Sequence, residues 1–287
     1  MEWGQIAQAT WFGIVNGVNY ALFATGLTLI FGIMSVVNFA HGELFMLGAI
    51  LVYVLMTFLG MNFFLAAIIA ISLVAAFGII FNRIAVRPLI ASPAAVILAT
   101  VAISMILLNG VAATIGPTAH LLDAPVTGVM QIANIRVSTV GVMIFFISSA
   151  VITATLLFIR GAKIGKDMRA TIQNPVAASL CGINTVRVYD YTLIMASGLA
   201  AIGGIMLAVL NIADPYMGGT MLIKGFAIVI AAGLGNLTGA IILGVAIGIA
   251  ESLFSFFVIP YFRETFIYGI MVLILLLRPE GLFTRRG

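Results

Sequence analysis

Apolar residues run along this chain in blocks of membrane-spanning length, broken by short polar stretches and without the strict alternation of a barrel strand. A run of about 17 to 25 apolar residues crosses a hydrocarbon core of about 30 Å as a helix. Such runs predict spans at Thr10–Met34, Leu44–Leu59, Phe63–Phe81, Ala94–Ile115, Val140–Ile159, Tyr191–Ile212, Ala240–Val258 and Phe266–Leu277. Lys224–Gly233 is too short for a full crossing before Gly233-Leu-Gly-Asn-Leu-Thr-Gly239 interrupts it, so it reads as a broken or tilted helix. The expected fold is all-α, a polytopic transmembrane bundle of about eight to ten membrane segments, some of them short or broken. It forms a single domain over residues 1–287.

Spacing within the runs predicts how helices meet. Gly13 and Gly17, and again Gly244 and Gly248, are spaced to let a neighbouring backbone approach closely. Ala196, Ala200, Gly204 and Ala208 recur every fourth residue and form one small-residue stripe. Asn16 and Asn19 lie in the first span, where an amide is costly against lipid and should face protein or a cavity.

Composition agrees. The chain is 63% hydrophobic and 8% charged, against about 25% charged in a typical soluble domain. Its net charge of +4 therefore speaks of membrane topology and not of nucleic acid. If the Arg83/Arg87 connection, the stretch Arg160–Asp190 and the tail from Arg278 are cytoplasmic, only Arg136, Lys224 and Arg263 of the thirteen Lys+Arg fall outside. That asymmetry follows the positive-inside rule and puts the N-terminus outside if the first segment crosses once. A re-entrant piece near Asn38 to Glu43 would flip that side. Cys181 is the only cysteine, which excludes an internal disulfide and argues against a thiolate metal site. The first residues carry no basic run and no small-residue cleavage signal, and read as retained.

Arg160–Asp190 is the longest hydrophilic run. Inside the loop 161–188 sits a compact helix signal over 175–181: Asn174 to cap it, Pro175 at its first position, Gly182 to close it with positive φ. Val176, Ala177, Leu180 and Cys181 give it a small apolar side, suited either to docking on a partner or to packing back on the chain's own spans.

Other polar clusters admit two readings each. Asn38-Phe-Ala-His41-Gly-Glu43 either lines a pathway at a helix junction or forms an interfacial turn, with Asn38 capping and Glu43 near a positive helix end. Glu251, inside an apolar run, is either a pathway residue or a helix–helix partner, and the Gly244/Gly248 pair beside it favours the second. Gly161-Ala-Lys-Ile-Gly165-Lys166-Asp167 is one residue short of a phosphate loop and has Asp where Ser or Thr would hold Mg²⁺. His41-x-Glu43 lacks the Cys-x-x-Cys of a zinc deaminase. With two histidines in the chain, no nucleophile–base pair stands out.

Four motifs, in order, carry a resemblance. Asn38-Phe-Ala-His-Gly-Glu43, Gly165-x-x-Met-Arg-Ala170, Gly182-Ile-Asn184 and Gly233-Leu-Gly-Asn-Leu-Thr-Gly-Ala240 resemble the permease subunit of branched-chain amino acid ABC importers, as does the ending Leu277-Arg-Pro-Glu-Gly-Leu282. One departure is Ala232, where relatives commonly carry Gly-Gly-x-Gly.

The resemblance implies a multi-pass inner-membrane subunit, surrounded by lipid, that is not itself an enzyme. Its implied partners are a second homologous permease subunit, two ATP-binding cassette subunits that hold ATP and Mg, and a periplasmic solute-binding protein. It selects docking for the short helix, with Arg169, Asn174, Pro175, Ala178, Leu180 and Gly182 as ATPase-coupling candidates. It also places Asn38, His41 and Glu43 near the solute path, joined as candidates by Asn16, Asn19 and Glu251. No cofactor or metal is expected on this chain. Similar permeases serve urea and short amides, and a stand-alone secondary transporter would need Glu43 or Glu251 as its coupling acid.

Overall fold

A computed structural model describes residues 3–132, 135–258, 262–278 and 281–283. Among them, seven helices are long and apolar enough to cross a membrane, and two apolar helices are shorter. The chain is a polytopic α-helical bundle. The elements are α1 (Trp3–Met34), α2 (His41–Leu59), α3 (Phe63–Phe81), α4 (Pro93–Thr114), α5 (Thr139–Gly161), α6 (Lys163–Gln173), α7 (Pro175–Leu180), α8 (Thr185–Leu210), α9 (Met217–Ala232), α10 (Leu237–Phe257) and α11 (Arg263–Leu277). Pro279, Glu280, Arg285 and Arg286, used above for motif and charge, lie outside the described residues.

Helix α1 is the axis, with 89% of its most apolar window buried. It packs most extensively on α10, antiparallel to it, and the two glycine pairs meet face to face. A methyl on Gly17 would sit 2.7 Å from the Val245 carbonyl oxygen, and one on Gly13 2.6 Å from Ile249 Cα. Glycine is required here because backbone meets backbone. Gly17→Val is expected to force the helices apart, costing about 1–3 kcal/mol in overpacking. A thermal midpoint in detergent equal to the parent's would overturn this.

The small-residue stripe lies on the buried face of α8, which packs on α1, α2 and α3. Gly204 abuts the Phe45 backbone of α2, and the Ala196 carbonyl lies under Gly26 of α1.

Several boundaries differ from the sequence reading; α8 begins at Thr185 and α9 at Met217, six and seven residues earlier than expected. Helix α1 begins seven residues before Thr10, extending past the apolar run. The Asn82–Arg87 connection continues α3 as a π-helical turn, Asn82–Val86, and a 3-10 turn, Arg87–Leu89. The connection Gly116–Arg136 leads into a hairpin, β1 (Val129–Ile132) with β2 (Ile135–Ser138), antiparallel with Val129 opposite Ser138. Much of the central hydrophilic run is helix: α6 turns Met168, Gly165 and Thr171 inward and leaves Lys163 and Lys166 exposed.

The ends of the bundle separate by charge. Asn82 and Arg83 bond Asp190 at 2.7 and 3.3 Å, tying α3 to the start of α8 beside α6 and α7. Gly32 meets Gly235 at the α9–α10 break, where the Leu282 and Phe283 amides donate to the Ala231 and Ala232 carbonyls. At the opposite end, Gln8 of α1 clasps the Arg136 main chain at 2.6 and 2.7 Å. There too Tyr53 stacks on His120, whose backbone pairs with Ala213. The start of α1 therefore lies at the end opposite the basic helices.

Candidate functional site

The polar residues singled out by sequence fall into three places. The first is a joint where two helices begin inside the bundle. After α1 ends, Ser35 turns the chain at φ 54° and residues 36–40 lead back alongside α1. His41 comes to rest against Gly26, eight positions and about 12 Å from the end of α1 at the α-helical rise. So α2 starts at His41, three residues earlier than the apolar run suggests, and His41, Gly42 and Glu43 form its first turn. The first turn of α9 meets it: Gly42 and Gly218 are packed backbone to backbone.

Two helix N-termini thus point their partial positive charge at one spot, and the Glu43 carboxylate occupies it. Its Oε1 accepts from Ser104 Oγ at 3.1 Å, and its Oε2 lies beside the Gly218 backbone. Asn38 Oδ1 accepts from the Ala40 amide at 3.0 Å, and the Phe39 amide donates to Thr100 Oγ1 at 3.2 Å. His41 is wholly buried, its ring 4.8 Å from that of Phe23. These residues pack the helix junction. Asn19 is apart from them, fully buried where α1 passes Gly203 of α8.

The second place is a buried ion pair. Lys224 Nζ of α9 bonds Glu251 Oε1 of α10 at 3.0 Å, both side chains less than 5% exposed. Nζ also stands 5.3 Å from the centre of the Tyr20 ring and 3.5 Å from its hydroxyl. Lys224 is therefore no surface topology residue; it is the counter-charge of the one acid inside the α10 run. A signal was available. Each charge stands alone in an apolar segment, and the two segments join through one short glycine turn that folds them side by side.

Glu251 also borders a cavity of about 1310 Å³ between the outer halves of α1 and α10. Asn16, Ser252, Asn211 and Arg136 line it as well. Two of the sequence candidates, Asn16 and Glu251, thus share one chamber, while Asn38, His41 and Glu43 do not reach it. Arg136 carried no functional signal in sequence, because only the hairpin brings it over α1.

The third place is α7, at the basic end. Asn174 Oδ1 accepts from the amides of Val176 and Ala177, both at 3.0 Å, and Pro175 opens the helix. Gly182, at φ 84°, closes it: its amide donates to Ser179 and that of Ile183 to Ala178, a Schellman arrangement. The helix ends at Leu180, with Cys181 as its cap. Asn184 then caps α8 at once. Ala178 alone is buried; Val176 and Leu180 are 68% and 84% exposed. The apolar side faces away from the chain's own spans. Arg169 of α6 donates to the Ile159 carbonyl, so α6 is fixed to the end of α5.

Residues 10–275 match the model of the family described as branched-chain amino acid transport system / permease component. The chain is 30% identical to the high-affinity branched-chain amino acid transport system permease protein LivH of Salmonella typhimurium, over 95% of this chain and 94% of that one. It is 28% identical to the corresponding protein BraD of Pseudomonas aeruginosa, with the same coverage. It is 31% identical to the probable branched-chain amino acid transport permease protein LivH of Methanocaldococcus jannaschii, over 91% of this chain and 87% of that one.

Proposed function

The chain belongs to the family of branched-chain amino acid transport system permease components, and from that premise we propose that it is the membrane permease subunit of an ATP-driven importer for branched-chain amino acids. It is a multi-pass membrane protein with seven helices of spanning length among the described residues. The reading places it in the bacterial inner membrane, beside a second homologous permease subunit. Two ATP-binding cassette subunits bind and hydrolyse ATP with Mg on its cytoplasmic side, and a periplasmic solute-binding protein delivers the amino acid.

The observation that carries this reading is the exposed apolar side of α7. Leu180 and Val176 stand outward on a helix fixed at both ends by its own caps. A helix of this kind docks in a groove of a partner with little loss of conformational entropy, because its backbone is already ordered. Its C-terminal cap runs straight into the N-cap of α8, so a displacement of α7 reaches α1, α2 and α3 through α8. Asp190, bonded to Asn82 and Arg83, carries the same displacement to the end of α3. Closure of the ATPases on ATP would then favour one packing of the bundle and release after hydrolysis the other, which is alternating access.

The test is uptake of labelled leucine, and separately of urea, by cells with and without this gene. ATP depletion is the control. Loss of ATP-dependent leucine uptake without the gene is the expected result. Loss of urea uptake alone would move the solute, and uptake that survives ATP depletion and follows an ion gradient would overturn the reading.

A further inference from the structure

The joint where α2 and α9 begin holds a carboxylate that no cationic side chain answers. Glu43 is 3% exposed, and the ion pairs among the described residues are Arg83–Asp190 and Lys224–Glu251. Its Oε1 has the Ser104 hydroxyl, a neutral donor, while its Oε2 has no hydrogen-bond partner. Asn38 Nδ2, buried at the same turn, lacks one too. Depth makes this costly. His41 packs its ring against Phe23, eleven residues from the end of α1. At the helical rise that is about 16 Å, half of a hydrocarbon core of about 30 Å.

A pair of helix ends faces Glu43 instead. Oε2 lies 3.0 Å from where a methyl on Gly218 would stand, in the first turn of α9, and Glu43 itself is in the first turn of α2. Each helix end carries about half a positive charge, so two of them balance one carboxylate. Helix N-termini offer such a seat to a ligand anion, and here a side chain of the protein sits in it. Gly42, Gly218 and Gly219 leave the backbone bare around it, and a methyl on Gly219 would meet nothing within 4 Å. The cover is light. Helix α4, which supplies Ser104, is the least buried of the seven spanning helices, with 17% of its window covered. Two hydroxyls four residues apart clip it to the joint, Thr100 to the Phe39 amide and Ser104 to Glu43.

We infer that Glu43 is a placeholder for the solute carboxylate. When α4 leaves the joint, the carboxylate of an α-amino acid takes the seat at the two helix ends, and Glu43 turns to the ammonium. Charge decides which solutes fit. A zwitterion replaces one anion with another and brings the cation that the displaced Glu43 needs. A carboxylate without an ammonium sets two negative charges against about one positive. An amine without a carboxylate brings a cation to helix ends that repel it. The inference rests on the permease reading given above for what passes the joint, but the seat is tested by binding and not by transport.

Gly219→Cys places a thiol in the open space beside the seat. The variant is made in the complete importer, purified without the binding protein. Modification at 219 by a small neutral thiol reagent is followed by peptide mass spectrometry. Leu121→Cys, on the exposed outer loop, is the control. Millimolar L-leucine is expected to slow modification at 219 several-fold and leave 121 unaffected. L-leucinamide, without the carboxylate, and 4-methylpentanoate, without the ammonium, are expected to protect weakly or not at all.

Glu43→Gln empties the seat of its charge and is expected to reverse the order. In that variant 4-methylpentanoate protects 219, and leucine does so no better. A role for Glu43 in packing alone predicts no reversal. If Gly219→Cys fails to fold, Thr220→Cys, one residue on and exposed, reports on the same turn. Equal protection by the three compounds in the parent, or protection by none, overturns the inference. So does leucine protection that Glu43→Gln leaves unchanged, or its loss with no gain by 4-methylpentanoate. The expected order of protection in an importer that moves no leucine would keep the seat and sink the permease reading. Leucine uptake without protection would do the reverse.

Discussion

Leu180→Asp is expected to abolish uptake while the subunit remains in the membrane at normal abundance. Leu180 is 84% exposed at the end of α7, so the substitution removes almost no packing within this chain. On the proposed reading, the same position meets the ATPase in the assembled importer. There the variant loses the burial of a leucine, worth about 1.5–3 kcal/mol. It also adds the cost of desolvating a carboxylate. Each 1.4 kcal/mol is about a tenfold change in occupancy, so a loss of uptake of at least ~10-fold is the minimum expected. Membrane abundance is read by immunoblot and uptake by labelled leucine. Normal uptake in the variant would remove α7 from the coupling route. Ala178→Asp is a useful contrast: Ala178 is buried against the chain's own helices, so that substitution should lower abundance as well.

The second large effect concerns the ion pair. Lys224→Met removes the ammonium and leaves the Glu251 carboxylate buried between α9 and α10. Breaking a buried pair from one side costs about 3–5 kcal/mol, because the remaining charge has lost its compensation. The thermal midpoint of the detergent-solubilised protein is therefore expected to fall sharply. Combining Lys224→Met with Glu251→Leu should recover most of that loss, since the site then holds two apolar side chains of suitable size. A double variant no more stable than Lys224→Met alone would mean that the pair is not what holds α9 to α10.

The spans were legible because length and apolarity suffice to define a crossing, and Phe63–Phe81 is found residue for residue as α3. The glycine and alanine spacing was equally informative: Gly13 and Gly17 find Gly248 and Ile249, and the stripe of α8 is buried throughout. Composition misled where a polar residue is sheltered by something distant in sequence. His41-Gly-Glu43 read as an interruption because nothing local shows that the first turn of α9, some 175 residues on, covers it. Lys224 was counted only as an outer-side charge because the positive-inside rule assumes that a lysine is hydrated. Helix α6 read as loop because its charges dominate, although Gly165, Met168 and Thr171 already mark one face at helical spacing. The hairpin had no signal beyond a few β-favouring residues after Pro125.

The seam between α1 and α10 has a consequence for how the molecule comes to exist. The most buried helix is synthesised more than two hundred residues before the partner that fills its glycine face. Closing so long a loop is an entropic burden, and contacts at that separation slow assembly. Until α10 arrives, α1 stands in the bilayer with Gly13, Gly17 and Asn16 turned toward lipid or toward whatever insertion factor shields them. Ribosomes that stall beyond α8 would therefore leave a chain whose central helix is inserted but unclosed, a form that membrane quality control can recognise by that bare seam.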